Sequence, residues 1–114
     1  MTHRNSMRIT EVERCLLCVL ILREIAPGEW NEIEGQLSDY VWRGADHAVV
    51  YEAIVRARKC DPKRWREQLP AQTTRMGFPD VDWNVLYEPT PPITGEVQPH
   101  GLIRELKLAA NRQA

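Results

Sequence analysis

The sequence has almost no excess of charge of either sign. Its 114 residues include 15 lysines and arginines against 16 aspartates and glutamates, which gives a formal net charge of −1. Generic binding to a phosphate backbone requires a surplus of positive charge. This balance therefore excludes a histone-like or polybasic protein. The length predicts one domain, which can bury enough surface to fold without disulfides or metals.

Cysteine is also scarce, with only Cys15, Cys18 and Cys60. Because the number is odd and two of the three lie in an apolar run, the cysteines argue against a secreted disulfide framework. Cys15 and Cys18 have the spacing of a redox or metal motif, and we interpret them instead as small core residues. Zinc would need two further ligands, and the remaining candidates are isolated in the sequence: Cys60, His3, His47 and His100. We expect no metal site and no cofactor.

Long hydrophobic runs are missing too. The longest uninterrupted one, residues 15–22, has eight residues between Arg14 and Arg23. A membrane-spanning helix needs about 20 apolar residues. Residues 1–8 carry basic charge but are followed by no cleavage site of the signal-peptide type, and we interpret them as a flexible N-terminus. We expect a soluble cytoplasmic protein.

Sequence motifs for catalysis are not found. The chain contains no glycine-rich phosphate loop, and its two serines, Ser6 and Ser38, lie outside any nucleophile motif. No acid, base and nucleophile converge on one segment. We therefore expect no catalytic residues and no enzyme activity.

Two aspartates and an asparagine at alternate positions, Asp80, Asp82 and Asn84, resemble the opening of a calcium-binding loop. The sixth position of such a loop requires glycine and the twelfth glutamate, whereas this chain has Val85 and Pro91 there. The calcium interpretation fails, and we interpret Asp80 as the cap of a helix.

Apolar spacing predicts helices along the first half of the chain. Thr10 and Glu13 form a predicted capping box for a first helix that runs to about residue 25. That helix is apolar nearly all round, which predicts a central position in a bundle. A short second helix carries Trp30, Ile33 and Leu37, and a third spans about residues 45–59.

The second half predicts two or three more helices. Asp61 and Pro62 start a short fourth helix that Pro70 closes. Residues 79–88 suit a strand or a helix, and the lack of a second strand favours a helix. A last helix spans about residues 100–112. We expect an all-α bundle of five to six helices in one domain, residues 9–114. Residues 9–78 form its main bundle, and a proline-rich connection joins a looser helical pair or hairpin within residues 79–112.

A basic segment at residues 56–66 is the densest charge feature. Its positive side chains at the end of the third helix complement the helix dipole, whereas those at the start of the fourth do not. The segment could be a solvated surface, or it could meet an acidic partner or a phosphate backbone. The candidate nucleic-acid-binding residues are Arg56, Arg58, Lys59, Lys63, Arg64 and Arg66.

Several short motifs together resemble one family. Residues 11–21 (EVERCLLCVLI) resemble the Glu-x-Glu opening of the N-terminal domain of DnaB-type replicative helicases. Trp30, Ile33 and Leu37 recur at similar spacing, and the Asp39-Tyr40 step, residues 46–54 (DHAVVYEAI) and residues 61–69 (DPKRWREQL) match later segments. The resemblance covers residues 9–69, with Cys18 in place of the usual glycine. The helicase-binding C-terminal domain of DnaG-type primases shares that fold.

This resemblance implies a bundle of about six helices that makes protein–protein contacts and has no ATPase activity. The implied partner is a replicative helicase, a primase or a second copy of the chain, with DNA binding secondary. The resemblance also places His47 at a structural position near a helix entry, in agreement with its lack of a neighbouring ligand. We predict that the partner-binding surface lies on the last two helices, because a hairpin cannot cover both its apolar faces. Its residues would be Trp83, Leu86, Tyr87, Leu102, Ile103 and Leu106.

Overall fold

Six α-helices form the fold in residues 9–87 and 99–113, the part of the chain that the computed structural model describes. They are α1 (Ile9–Leu22), α2 (Pro27–Leu37), α3 (Ala45–Cys60), α4 (Trp65–Arg75), α5 (Trp83–Tyr87) and α6 (Pro99–Gln113). No strand occurs in those ranges. The prediction of an all-α bundle is confirmed, and so is the choice of helix over strand near residues 83–87.

Helix α1 is the centre of the bundle, as predicted. It packs against α3, α5 and α6. Nine of its 14 residues are buried, from Val12 to Ile21 with only Arg14 less than buried. Cys15 and Cys18 are among them, and burial raises the pKa of both thiols. A raised thiol pKa means little reactive thiolate, as expected for cysteines that fill space in a core.

Helices α3 and α4 pack closely along each other. The buried face of α3 includes Ala53 and Ala57, whose small side chains allow close approach. The buried face of α4 repeats every fourth residue, with Trp65, Leu69 and Thr73. The prediction that Pro70 closes this helix is wrong, because it lies inside α4. Its missing N–H costs one helical hydrogen bond, but burial of the next turn at Thr73 keeps the helix going.

Three predicted helix caps differ from the structure. Thr10 lies within α1 and is not its cap, and the carboxylate of Glu13 bonds elsewhere. Asp61 accepts a hydrogen bond from the N–H of Arg64 at 3.1 Å, so it caps a turn that precedes α4 and not α4 itself. Asp80 lies three residues before α5 and cannot be its cap. Glu13 and Asp61 accept hydrogen bonds from distant or local amides instead of capping helix ends.

The last two helices join the main bundle. Helix α6 packs on α1 and α2, and α5 packs on α1, which is the principal neighbour of both. Leu86, Ile103 and Leu106 are buried in the same core as the α1 residues. These helices therefore cover the apolar faces of α1. Residues 1–8 and most of the proline-rich connection lie outside the described residues.

Candidate functional site

The most unusual side chain of the core is a carboxylate. Glu13 in α1 is completely buried, and its two oxygens accept hydrogen bonds from Tyr40, Arg43, Gly44 and His47. Oε2 accepts from the Tyr40 hydroxyl at 2.6 Å and from the Arg43 backbone N–H at 2.7 Å. Oε1 accepts from the Gly44 N–H at 3.0 Å and lies 2.9 Å from Nδ1 of His47. We call these five residues the Glu13 cluster.

Hydrogen bonding decides the ionisation of the Glu13 cluster. Burial by itself raises the pKa of Glu13, but the hydrogen bonds from His47, Tyr40, Arg43 and Gly44 outweigh it, and the net pKa is lowered. Burial and the bond to Glu13 raise the pKa of Tyr40. Because an ionised carboxylate only accepts hydrogen bonds, Nδ1 of His47 carries the proton that it shares with Oε1.

A glycine makes room for the histidine of the cluster. Gly44 precedes α3, and a Cβ atom built there would lie 2.6 Å from Nδ1 of His47. Any larger residue would push the imidazole away from Glu13. The ring of His47 can therefore fold back from the first turn of α3 only because position 44 has no side chain.

This arrangement is suited to a structural role. Each Glu13 oxygen already accepts two hydrogen bonds, so neither oxygen is available to act as a base on a substrate. Among the described residues no group of three or more His, Cys, Asp or Glu side chains is placed to hold a metal ion. The cluster fixes the connection between α2 and α3, residues 38–44, onto the central helix.

The fixed connection presents an apolar residue to solvent. Tyr40 packs edge-on against Trp42 with ring centroids 5.2 Å apart, and Trp42 packs on Tyr51 of α3 at the same distance. Between the two rings that pack inward, Val41 is 78% exposed. An aliphatic side chain this exposed, on a backbone held by a buried charge, is the most prominent apolar feature of the described surface.

An open cleft of about 360 Å³ lies beside this residue. The connection and α6 form its walls, which consist of Asp39, Tyr40, Val41, Arg43, Lys107 and Ala110. Nζ of Lys107 is 3.6 Å from Oδ1 of Asp39 across the cleft, and Asp39 is largely exposed. Tyr40 and Arg43 of the Glu13 cluster thus belong to one wall of a cleft that is lined by both apolar and charged groups.

Two arginines of the basic segment, Arg58 and Arg66, make contacts with other side chains and carbonyls of the protein. The guanidinium of Arg58 lies over the rings of Trp30 and Trp65, 4.4 and 5.1 Å from their centroids. Arg66 donates to the carbonyls of Ile21 and Arg23 at the end of α1. Arg66 therefore caps the carboxyl end of the central helix, where a positive charge is favourable.

The other four basic residues are exposed on the surface. Arg56 pairs with Glu52 and Arg64 with Glu67, at 3.0 and 3.1 Å. Lys59 and Lys63 are exposed. Of the six candidate nucleic-acid-binding residues, Arg58 and Arg66 therefore make contacts within the protein, and two more pair with glutamates.

Five of the six predicted partner-binding residues have described side chains, and all five are buried or half-buried. Leu86, Ile103 and Leu106 are at most 5% exposed, Trp83 and Leu102 are half-buried against the same core, and the side chain of Tyr87 lies outside the described residues. The burial of Leu86, Ile103 and Leu106 contradicts the premise that the last two helices leave these apolar side chains uncovered. Helix α1 needs covering on all sides, and α5 and α6 supply that cover.

Sequence reasoning missed the role of Glu13 because its partners lie 27 to 34 positions away. One pattern could have indicated it, since the residues one helical turn away from Glu13 include Ile9, Leu16 and Leu17, which places its carboxylate on an apolar helix face. His47 has the structural position that was expected. Within the described residues no helix is long and apolar enough to cross a membrane. Comparisons with protein-family models, curated proteins and solved structures find no match for this chain.

Proposed function

We propose that this chain is a non-catalytic protein–protein interaction domain of the helicase–primase docking type. Its partner would be a replicative helicase, a primase or a second copy of the chain, in a cytoplasmic setting. The all-α fold is what the resemblance to the DnaB-type N-terminal domain implies. The proposal moves the contact surface from α5 and α6 to the connection between α2 and α3.

The Glu13 cluster is the observation that carries this proposal. Glu13, Tyr40 and His47 come from three separate motifs of the resemblance, and their side chains meet in one hydrogen-bonded group. Motifs that are scattered in sequence and joined in space support a common architecture. Their joint effect is to hold residues 38–44 in one conformation, and a preorganised loop loses less entropy on binding a partner.

The exposed valine supplies a test of this surface. We expect the purified chain to bind the replicative helicase or the primase of its source organism, or to self-associate, as measured by analytical ultracentrifugation. Val41→Asp should weaken the complex about tenfold, because it places a charge at an apolar contact. Phe78→Asp is the matched control, since Phe78 is also an exposed apolar residue, and it should leave affinity within about twofold.

Two results would contradict the proposal. One is the absence of any complex tighter than about 1 mM with either protein or with a second copy. The other is DNA binding in place of protein binding, with an affinity that falls steeply with salt and falls further in Lys63→Gln but not in Val41→Asp. The latter result would favour the alternative of a nucleic-acid-binding protein that uses the basic segment.

A further inference from the structure

The cleft beside Val41 offers aliphatic and aromatic surface to a ligand, together with charged groups. Val41 and Ala110 supply aliphatic surface, and the ring of Tyr40 supplies an aromatic wall. The Tyr40 hydroxyl is already bonded to Glu13, so the ring stays fixed when the cleft is occupied. Arg43 is held in the same way through its backbone N–H. The cleft therefore has a rigid wall on the side of the connection.

The charges that line the cleft favour an anionic ligand. They comprise two cations, Arg43 and Lys107, and one anion, Asp39. The pair between Lys107 and Asp39 is long, at 3.6 Å, and 82% of the Asp39 side chain is exposed, so water competes with it. The guanidinium of Arg43 forms no ion pair with any residue of the described ranges. A carboxylate of a partner could bond to Arg43 and approach Lys107 with little loss of existing contacts.

We propose that this cleft binds an acidic segment of a protein partner, in which an aliphatic side chain neighbours an aspartate or glutamate. The carboxylate contacts Arg43 and Lys107, and the aliphatic side chain lies on Val41 and Ala110. This inference rests on the proposed function, because it specifies the partner chemistry that the interaction domain recognises.

Short peptides of defined composition test this chemistry on the full chain. The probe is a fluorescent twelve-residue peptide in which aspartate and leucine alternate, and the comparison peptides alternate lysine with leucine or aspartate with serine. Binding is measured by anisotropy and mapped by two-dimensional amide NMR. We expect the aspartate–leucine peptide to bind most tightly and to shift the resonances of residues 39–43 and 107–110. Stronger binding of the lysine–leucine peptide, or shifts confined to other residues, would overturn the inference.

Charge-neutralising variants locate the anion. Arg43→Gln and Lys107→Gln should each weaken the aspartate–leucine peptide about two- to fivefold, as expected for exposed ionic contacts. Lys63→Gln removes the same charge far along the chain, in the turn before α4, and should change nothing. The Arg43 N–H remains available to Glu13 in Arg43→Gln, and an unchanged amide spectrum elsewhere verifies the fold. Equal loss in Lys63→Gln would show a general charge effect and overturn the assignment.

The same variants separate failure of the cleft from failure of the interaction function. If the helicase or primase binds wild type, Arg43→Gln and Lys107→Gln equally, the cleft inference is wrong while the interaction function stands. If the peptide occupies the cleft but no protein complex forms, the proposed function is wrong. A thymidine oligonucleotide that shifts the same resonances more strongly than the peptide would instead indicate a phosphate ligand and overturn the acidic-peptide assignment.

Discussion

The two ends of α1 are held by opposite charges in different environments. Towards the beginning, Glu13 is fully buried and collects hydrogen bonds from a connection and from the first turn of α3. At the far end, Arg66 of α4 donates hydrogen bonds to two carbonyls at the end of α1. Its side chain is 34% exposed, and its guanidinium also lies 3.5 Å from the carboxylate of Glu24. Both contacts fix a neighbour onto the central helix.

The two ends of α1 differ in how well water can replace the hydrogen bonds that a substitution removes. If Arg66 is lost, we expect water to take over part of its hydrogen bonding, because the Arg66 side chain is already partly exposed. If Glu13 is lost, four partly buried donors lose their acceptor, and a donor that water reaches poorly costs more to leave unsatisfied than an exposed one. The Glu13 end therefore determines stability and the shape of the connection, whereas the Arg66 end adds a smaller increment.

Removal of Glu13 should have the largest effect. Glu13→Ala leaves the donors of Tyr40, Gly44 and His47 without an acceptor, and we expect a loss of about 3–5 kcal/mol in the free energy of unfolding. Urea denaturation followed by circular dichroism measures it. Glu32→Ala, at an exposed position of α2, is the control and should stay within about 0.5 kcal/mol. A loss below about 1 kcal/mol in Glu13→Ala would show that the cluster is not a main source of stability.

Acidification should remove part of the same contribution. The pKa of Glu13 in the folded protein lies below its ordinary value of 4.5. Its ionised form therefore contributes stability that is complete above that value and is lost as the pH falls through the lowered pKa. The difference in unfolding free energy between wild type and Glu13→Gln should shrink as the pH falls below 4.5. A difference that stays constant down to acid unfolding would argue against the ionised carboxylate.

Two glycine substitutions should have opposite signs. Gly44→Ala forces the ring of His47 off Glu13, and we expect a loss of about 1–3 kcal/mol in stability. Gly35→Ala has open space around its new methyl group inside α2, and it should stabilise by up to about 1 kcal/mol. Thermal unfolding of both variants gives the comparison. An unchanged stability of Gly44→Ala would show that His47 can still bond to Glu13 when residue 44 carries a methyl group.

The smallest effect is expected at the other end of α1. Arg66→Lys keeps the charge but cannot donate to the carbonyls of Ile21 and Arg23 with the same fork. We expect a loss of about 1 kcal/mol. Arg64→Lys changes an exposed side chain of the same segment and should be close to neutral. Denaturant midpoints of the two variants, measured side by side, test the ranking, and equal midpoints would remove the capping role.

Local patterns predict the first half of this fold well. The apolar spacing of α1, α2 and α3 depends on residues three or four apart, and the sequence shows it directly. The long-range hydrogen bonds of Glu13 leave no such pattern, and the local spacing of Thr10 and Glu13 predicted a capping box instead. Pro70 is a similar case, because the buried face of α4 that overrides it is decided by contact with α3.

The error in the C-terminal half has a physical origin. A proline-rich connection suggested that the last helices were detached, but connection length does not determine where a helix packs. The stronger indication was α1 itself, since a helix that is apolar on every side requires neighbours on every side. Ile103 and Leu106 meet that requirement. The cleft beside Val41 depends on the meeting of α6 with a distant connection, which no local pattern encodes.

The amides of Arg43 and Gly44 also have a consequence for the dynamics of the molecule. They lie outside any helix, where hydrogen exchange with solvent is ordinarily fast. Here both donate to a fully buried carboxylate. Their protons can exchange only after the bonds to Glu13 break, so we expect these two amides to exchange more slowly than those of an ordinary surface loop.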